Sequence, residues 1–270
     1  MIVQSRTGAG TAQVIAMTDH LNLVDQFAEA FGNEQFQPQG PRELLRFAIA
    51  HHDQGWEEVD QRIPMDESTG LPCNLLQTPL DDMLASGPAS ADFNEAHHPW
   101  CGLLVSMHVF GLYKGRYGLS DKIVVEALPE AVRPRFDAML EGEVARQERL
   151  KQSLADDPDL ADSVQPEALF QSYKLLQFFD TLALYFCMAA DELREESTFL
   201  NVPQDQHSDT SIKVTPLGAG EYRIAPFPFA GDEQEFALNS KSIPPQAPGT
   251  DIQKVLANPQ QAPERLRLVR

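Results

Sequence analysis

Apolar positions along this chain recur at helical spacing from Asp19 to about Glu195 and alternate at strand spacing beyond it. In TDHLNLVDQFAEAFGN, His20 shares a face with Val24, Phe27, Ala28 and Phe31, and Thr18 is placed to cap the helix. RELLRFAIAHHDQGW sets Leu45, Ala48, Ile49 and His52 on one face, with Gly55 where a C-terminal stop belongs. Pro99 reads as the first residue of a helix through PWCGLLVSMHVFGLY, on which Cys101, Leu104, His108, Gly111 and Leu112 share a side. In QSYKLLQFFDTLALYFCMAADE, Asp180 is flanked on its face by Tyr173, Leu176, Leu184, Cys187 and Met188. EGEVARQERLKQSLADD is a charged helix whose paired signs fit a solvated face.

SIKVTPL, EYRIAPF and EQEFALN alternate between glycine-containing turns and read as strands, and MIVQS and TAQVIAM flank RTGAG as a hairpin. The pattern predicts a mainly α fold, a helical bundle carrying one small antiparallel β-sheet made by the N-terminal hairpin and the C-terminal strands. It is read as a single domain over 1–270: hairpin 1–18, helical core 19–195, strands 196–245 and tail 246–270. The tail is proline-rich with a short helix at most, and wraps the surface or, in a homodimer, a partner subunit. The stretch from Ile63 to Asp82, rich in proline, glycine and acids, is either a lid over the site or a plain connection.

With 42% hydrophobic content, 270 residues can bury a sizeable core. The 40 acidic against 21 basic residues, a net charge of −19, disfavour nucleic acid and anionic membranes as partners. A polyanionic substrate would also be repelled at long range, so local charge inside a site would have to come from metal ions. No apolar run approaches the roughly 18 residues of a membrane span, and MIVQSRTGAG lacks a signal-peptide core. Cys101 and Cys187 sit in apolar helical patterns and Cys73 in a loop, without an even disulfide framework, so a cytoplasmic protein is expected. The glycines of RTGAG and LGAG read as turns, and no organic cofactor is suggested.

Burying an unpaired carboxylate costs several kcal/mol unless it is protonated, paired with a cation or bound to metal. His20, His52 with Asp53, and Asp180 all fall on apolar faces of separate helices that can converge in a bundle. That set of two histidines and two aspartates suits one or two divalent ions such as Mn, Fe, Co, Ni or Zn. The alternative is a metal-free polar core in which the histidines hydrogen-bond to the aspartates.

The order His, His-Asp, Asp on successive helices, with a glycine two residues after the doublet, resembles the HD superfamily of metal-dependent phosphohydrolases. The resemblance implies a divalent metal held by His20, His52, Asp53 and Asp180. AHHDQGWEEVD, HHPWCGLLVSMHVFGLY and LLQFFDTLAL further resemble an uncharacterised bacterial family, known only as a domain of unknown function with HD-like features, over most of the chain. HD proteins with two metals carry extra histidines between the doublet and the last Asp, and His97, His98 and His108 occupy that interval here, with Asp53 as the bridge. Residues 98 and 108 are separated by ten helical rises of about 1.5 Å, too far for one ion, so one is a candidate ligand and the other an acid or substrate contact.

His51 points about 100° away from the doublet, behind the ligands or at the surface, and His207 lies in a polar stretch. Lys114 and Arg116 in GLYKGRYG, and Lys174 on the Asp180 helix, are candidate substrate-binding cations; ordinary helix C-terminal chemistry is the favoured reading of the first two, and Lys174 either reaches the site or snorkels. The resemblance implies a hydrolase of a small phosphoester or nucleotide-like substrate, with Asp53 catalytic as the group that orients the attacking water. Two other readings stay open, an HD-type diiron oxygenase and a noncatalytic metal-stabilised binding protein.

Overall fold

The computed structural model describes residues 1–8, 10–37, 40–258 and 260–270, so the part of the RTGAG turn at residue 9 lies outside the described residues. Helices α1 (Met17–Ala30), α2 (Arg42–Ala50), α3 (Trp56–Asp60), α4 (Leu80–His97), α5 (Pro99–Tyr113), α6 (Val124–Ala127), α7 (Arg133–Ala155) and α8 (Pro166–Met188) build the core, and a short α9 (Ile252–Ala257) follows late in the chain. α5 is buried almost all round, because it is apolar on every side and is packed by α2, α4, α7 and α8. Of the chemistry-bearing helices, α2 and α8 pack on α5, and α1 packs on α2 and α8. No described helix is long and apolar enough to cross a membrane.

Helix α1 begins one residue before Thr18, which is exposed inside the first turn and does not cap it. The Met17 N–H instead donates to Asp60 Oδ2 of α3 at 2.7 Å, a cap supplied from another element. Helix α7 is not simply a solvated face either. Leu140, Glu143, Gln147, Leu150 and Leu154 form a buried stripe, while Arg146 and Arg149 reach Glu95 of α4 at 2.7 and 2.9 Å.

The strands are β1 (Ile2–Val3), β2 (Ala12–Ile15), β3 (Met65–Asp66), β4 (Leu71–Pro72), β5 (Ser197–Pro203), β6 (Asp209–Gly218), β7 (Glu221–Ala225), β8 (Glu233–Leu238), β9 (Lys241–Ile243), β10 (Gln260–Gln261) and β11 (Glu264–Val269). They make two larger sheets where the sequence predicts one small sheet. The hairpin β1-β2 is too short to bury a face by itself and extends through β9 and β10 into a four-stranded sheet. A separate five-stranded sheet has the order β5-β6-β7-β11-β8. It is mixed, since β11 runs parallel to β7 and antiparallel to β8. The tail therefore does not merely wrap the surface: Leu266 and Leu268 are fully buried, alternating with Arg265 and Arg267 that face outward.

Between α3 and α4, the Ile63–Asp82 stretch is a hairpin (β3-β4) and a single 3₁₀ turn. It is bound to the C-terminal segment: the Gln246 N–H donates to Gly70 O at 2.8 Å, and the Gln253 side-chain amide donates to Ile63 O at 2.9 Å. Gly70 has φ +67° and leaves room that a Cβ, 2.4 Å from Gln246 O, would fill.

Candidate metal centre

Helix α2 stops at Ala50, and His51 (φ −126°, ψ 17°) breaks the helical path. His52 and Asp53 thus sit in the turn between α2 and α3, past the end of a helix that the spacing predicts to continue to Gly55. Gly55 is not a stop in the left-handed region (φ −63°); it is the point where this turn touches α4, with a hypothetical Cβ only 2.2 Å from Ser86 O. A buried polar stripe on α4 clamps the turn. The Gly55 N–H donates to Ser90 Oγ (2.9 Å), Ser90 Oγ donates to Ser86 O (2.9 Å), and the Asn94 amide donates to His51 O (2.8 Å).

The turn brings His52 and Asp53 to His20 of α1, His108 of α5 and Asp180 of α8. His20 Nε2 lies 3.4 Å and His52 Nε2 3.6 Å from Asp180 Oδ1; His52 Nε2 is 3.7 Å and His108 Nε2 3.8 Å from the two Asp53 oxygens. The three imidazoles are essentially fully buried, and none of their Nε2 atoms has a hydrogen-bond partner. Asp180 is 3% exposed. His52 Nδ1 is 2.8 Å from the Ile49 carbonyl, which can only accept, so in the neutral ring Nδ1 carries the proton and Nε2 offers its lone pair to the two carboxylates. A His52 lone pair facing carboxylate oxygens across less than 4 Å is relieved by a proton or by a metal ion.

That donor set fits a divalent first-row ion. The potential ligand atoms of His20, His52 and Asp53, and those of His52, His108 and Asp180, each lie within 4.8 Å of one another. Nitrogen and oxygen donors without thiolate match Mn, Fe, Co, Ni or Zn. Cys187 lies on the far side of His20, its sulfur 3.9 Å from Nδ1.

Without metal, protons take the cation's place. Burial disfavours a charged His52, but the Asp53 and Asp180 carboxylates outweigh it and raise its pKa from 6.5 to about 9. Burial likewise works against an ionised Asp180, yet the His20 and His52 imidazoles that face it hold its carboxyl well below the usual range. A raised histidine pKa stabilises the fold fully below the unfolded value and ceases to do so as pH rises through the folded value. The metal-free protein should therefore lose thermal stability between about pH 6.5 and about pH 9, measured by melting in chelator, with a shallower loss in His52→Gln. A melting temperature in chelator that stays level or climbs over this window, or that falls equally in the variant, would contradict the protonated cluster.

The other candidates land elsewhere. His97 ends α4, exposed and stacked on Phe47 at 3.5 Å. His98 caps α5, with Nδ1 accepting from the Trp100 N–H at 3.1 Å. Both belong to the end of α5 remote from His108, so neither joins the cluster. His51 stacks on Phe47 at 4.2 Å. Lys114 pairs with Asp137 of α7 at 3.1 Å and is not a site cation. Arg116 and Lys174 line a cavity together with Gln177.

Gln177 is a residue that sequence reasoning missed. One turn before Asp180 on α8, its side-chain amide lies 2.7 Å from His108 Nδ1. The i−3 spacing from Asp180 was a usable signal, as were Ser86, Ser90 and Asn94 at successive i+4 positions.

A family model described as a protein of unknown function, DUF3891, matches residues 1–244, which contain every residue of the cluster. No curated protein and no solved structure matches the chain.

Proposed function

The chain belongs to DUF3891, a family of unknown function, and for this member we propose a metal-dependent hydrolase of a small phosphoester or nucleotide-like substrate, with an HD-type site. One observation carries the reading: three buried imidazole Nε2 atoms without partners converge on the buried Asp180 and the partly buried Asp53 carboxylates. His20, His52, Asp53, His108 and Asp180 would hold the ion. When bound, a divalent ion lowers the pKa of water and polarises a phosphoryl oxygen.

Asp53 is the member through which the cluster meets solvent, its side chain 14% exposed against 4% or less for His20, His52, His108 and Asp180. It is placed to accept a hydrogen bond from the attacking water and so to aim that oxygen at phosphorus. As the water oxygen bonds to phosphorus, its proton passes by way of Asp53 to solvent, the P–O ester bond breaks, and the departing alkoxide takes a proton from solvent to leave as the alcohol. His52 and Asp180 are sealed and hold geometry. This partial opening supports catalysis over a purely structural site, which would be closed. The diiron oxygenase reading relied on histidines between the doublet and the last Asp, and of those His97 and His98 lie outside the cluster.

The test loads chelator-treated protein with Mn or Zn and assays p-nitrophenyl phosphate and bis-p-nitrophenyl phosphate. Turnover with these metals, lost on chelation and in Asp53→Ala, is expected. Turnover confined to the iron-loaded protein with consumption of dioxygen would move the assignment to an oxygenase. Metal binding with no hydrolysis across a broad phosphoester panel would leave a noncatalytic protein.

A further inference from the structure

Against α8 and β5 lies a cavity of about 260 Å³ whose polar lining includes Arg116, Ser120, Lys174, Gln177, Thr181 and Asn201. From this lining we infer that the protein has an oxyanion pocket, built to take the phosphate group of a small ligand beside the metal cluster.

The backbone is shaped to deliver the arginine. Gly115, Arg116, Tyr117 and Gly118 have φ of +67°, 51°, 55° and +88°, one continuous left-handed turn. L-residues pay roughly 1–2 kcal/mol each in that region and rarely adopt it consecutively. Tyr117 holds the turn in place: its ring packs on Phe110 and Tyr173, and its hydroxyl donates to Gln147 at 3.2 Å. Arg116 is what this turn presents to the cavity. Asn201, opposite, also sits in the left-handed region (φ 56°) within the irregular stretch of β5.

Charge makes the same point. Acidic residues outnumber basic ones 40 to 21, and most cations have a carboxylate within reach. Arg116 has no ion pair among the described residues, while its neighbour in the cavity, Lys174, is 8% exposed and bonded to Asp209. The pocket therefore has one uncommitted guanidinium, a planar fork suited to phosphate.

The floor is Gln177, 5% exposed, with a buried Oε1 that has no hydrogen-bond partner and an Nε2 2.7 Å from His108 Nδ1. A metal ligand binding through Nε2 keeps its proton on Nδ1, which needs an acceptor. Turning the amide through half a rotation gives Nδ1–H the Oε1 and presents the NH₂ to the cavity. The metal-competent state of His108 thus makes the pocket a better anion donor, so a single amide joins cavity and cluster.

That the anion belongs to the substrate, as a phosphate other than the one attacked at the cluster, rests on the hydrolase reading; the pocket itself does not. The test is calorimetric titration of inorganic phosphate into chelator-treated and metal-loaded protein, with acetate as a second probe. Saturable phosphate binding is expected, weakened about tenfold or more in Arg116→Gln, partly recovered in Arg116→Lys and unchanged in Lys122→Gln, all with wild-type far-UV circular dichroism and metal content. Phosphate binding absent from wild type, or equal in wild type and Arg116→Gln, overturns the pocket. Acetate binding more tightly than phosphate overturns the phosphate assignment. Phosphate bound as expected without any ester turnover would strike the hydrolase reading alone, whereas turnover indifferent to Arg116→Gln with unaltered phosphate binding would strike the pocket alone.

Discussion

Asp180→Asn should strip the protein of metal. Its Oδ1 is the oxygen nearest to both His20 Nε2 and His52 Nε2, at 3.4 and 3.6 Å, and it is the most deeply buried carboxylate of the cluster. The substitution preserves volume but replaces one acceptor oxygen by a donor NH₂ and removes the charge that offsets a dication. Losing a direct ligand should cost more than the roughly 10–100-fold attached to groups behind the ligands, so occupancy after purification without added metal should fall to a few per cent of wild type. Thermal stability should become insensitive to chelator, because binding to the folded state no longer contributes. His98→Ala, which removes only a helix cap, should leave metal content unchanged. Elemental analysis of the three proteins decides it: wild-type stoichiometry in Asp180→Asn, or no metal in wild type even after reconstitution, would remove the metal centre and leave a polar core.

Gly55→Ala should be among the most damaging single-methyl changes. The added carbon would lie 2.2 Å from Ser86 O, 2.7 Å from Ser90 N and 2.9 Å from Ala89 Cβ, and the first two are backbone atoms of a helix that cannot swing aside. Relief requires the turn to move about 1 Å off α4, which breaks the Gly55 N–H to Ser90 Oγ bond and shifts Asp53 two residues upstream. We expect a loss of about 3 kcal/mol or more in denaturant unfolding and weaker metal retention in whatever folds. Gly142→Ala is the control, since an added Cβ there meets nothing within 4 Å and lies inside α7, where alanine should stabilise by up to about 1 kcal/mol. Equal stability of Gly55→Ala and wild type would mean the turn does not approach α4 so closely.

Periodicity found which faces are buried, and thereby placed His20, His52, His108 and Asp180 inward, because helical spacing is a local property of the chain. It could not say which buried faces meet. His98 and His108 share one helix, yet one meets a backbone N–H and the other Asp53, a difference set by the helices around α5. Asp60 and Glu143 are buried acids that escaped notice because their partners are not on an apolar stripe. One is satisfied by the Met17 N–H at the head of α1, the other by Arg146 at 3.1 Å. The doublet's position just past α2 was also beyond reach, since the clamp that ends the helix comes from α4. ERLRLV is read from the sequence as part of the tail although it alternates, because its parallel partner β7 lies far back in the sequence and long-range pairing leaves no local mark.

β11 has a consequence for how the molecule comes into being. Strands β7 and β8 are made first and do not pair with each other; the place between them is taken by residues 264–269. Until those residues arrive, two rows of peptide groups stand open beside a greasy face, and a growing or clipped chain offers a slot that any passing extended segment can enter. A fragment cut at residue 244, where the family match ends, would keep every residue of the His/Asp cluster and still carry that open slot, so recombinant fragments drawn to the family boundary should clump even though the cluster is present.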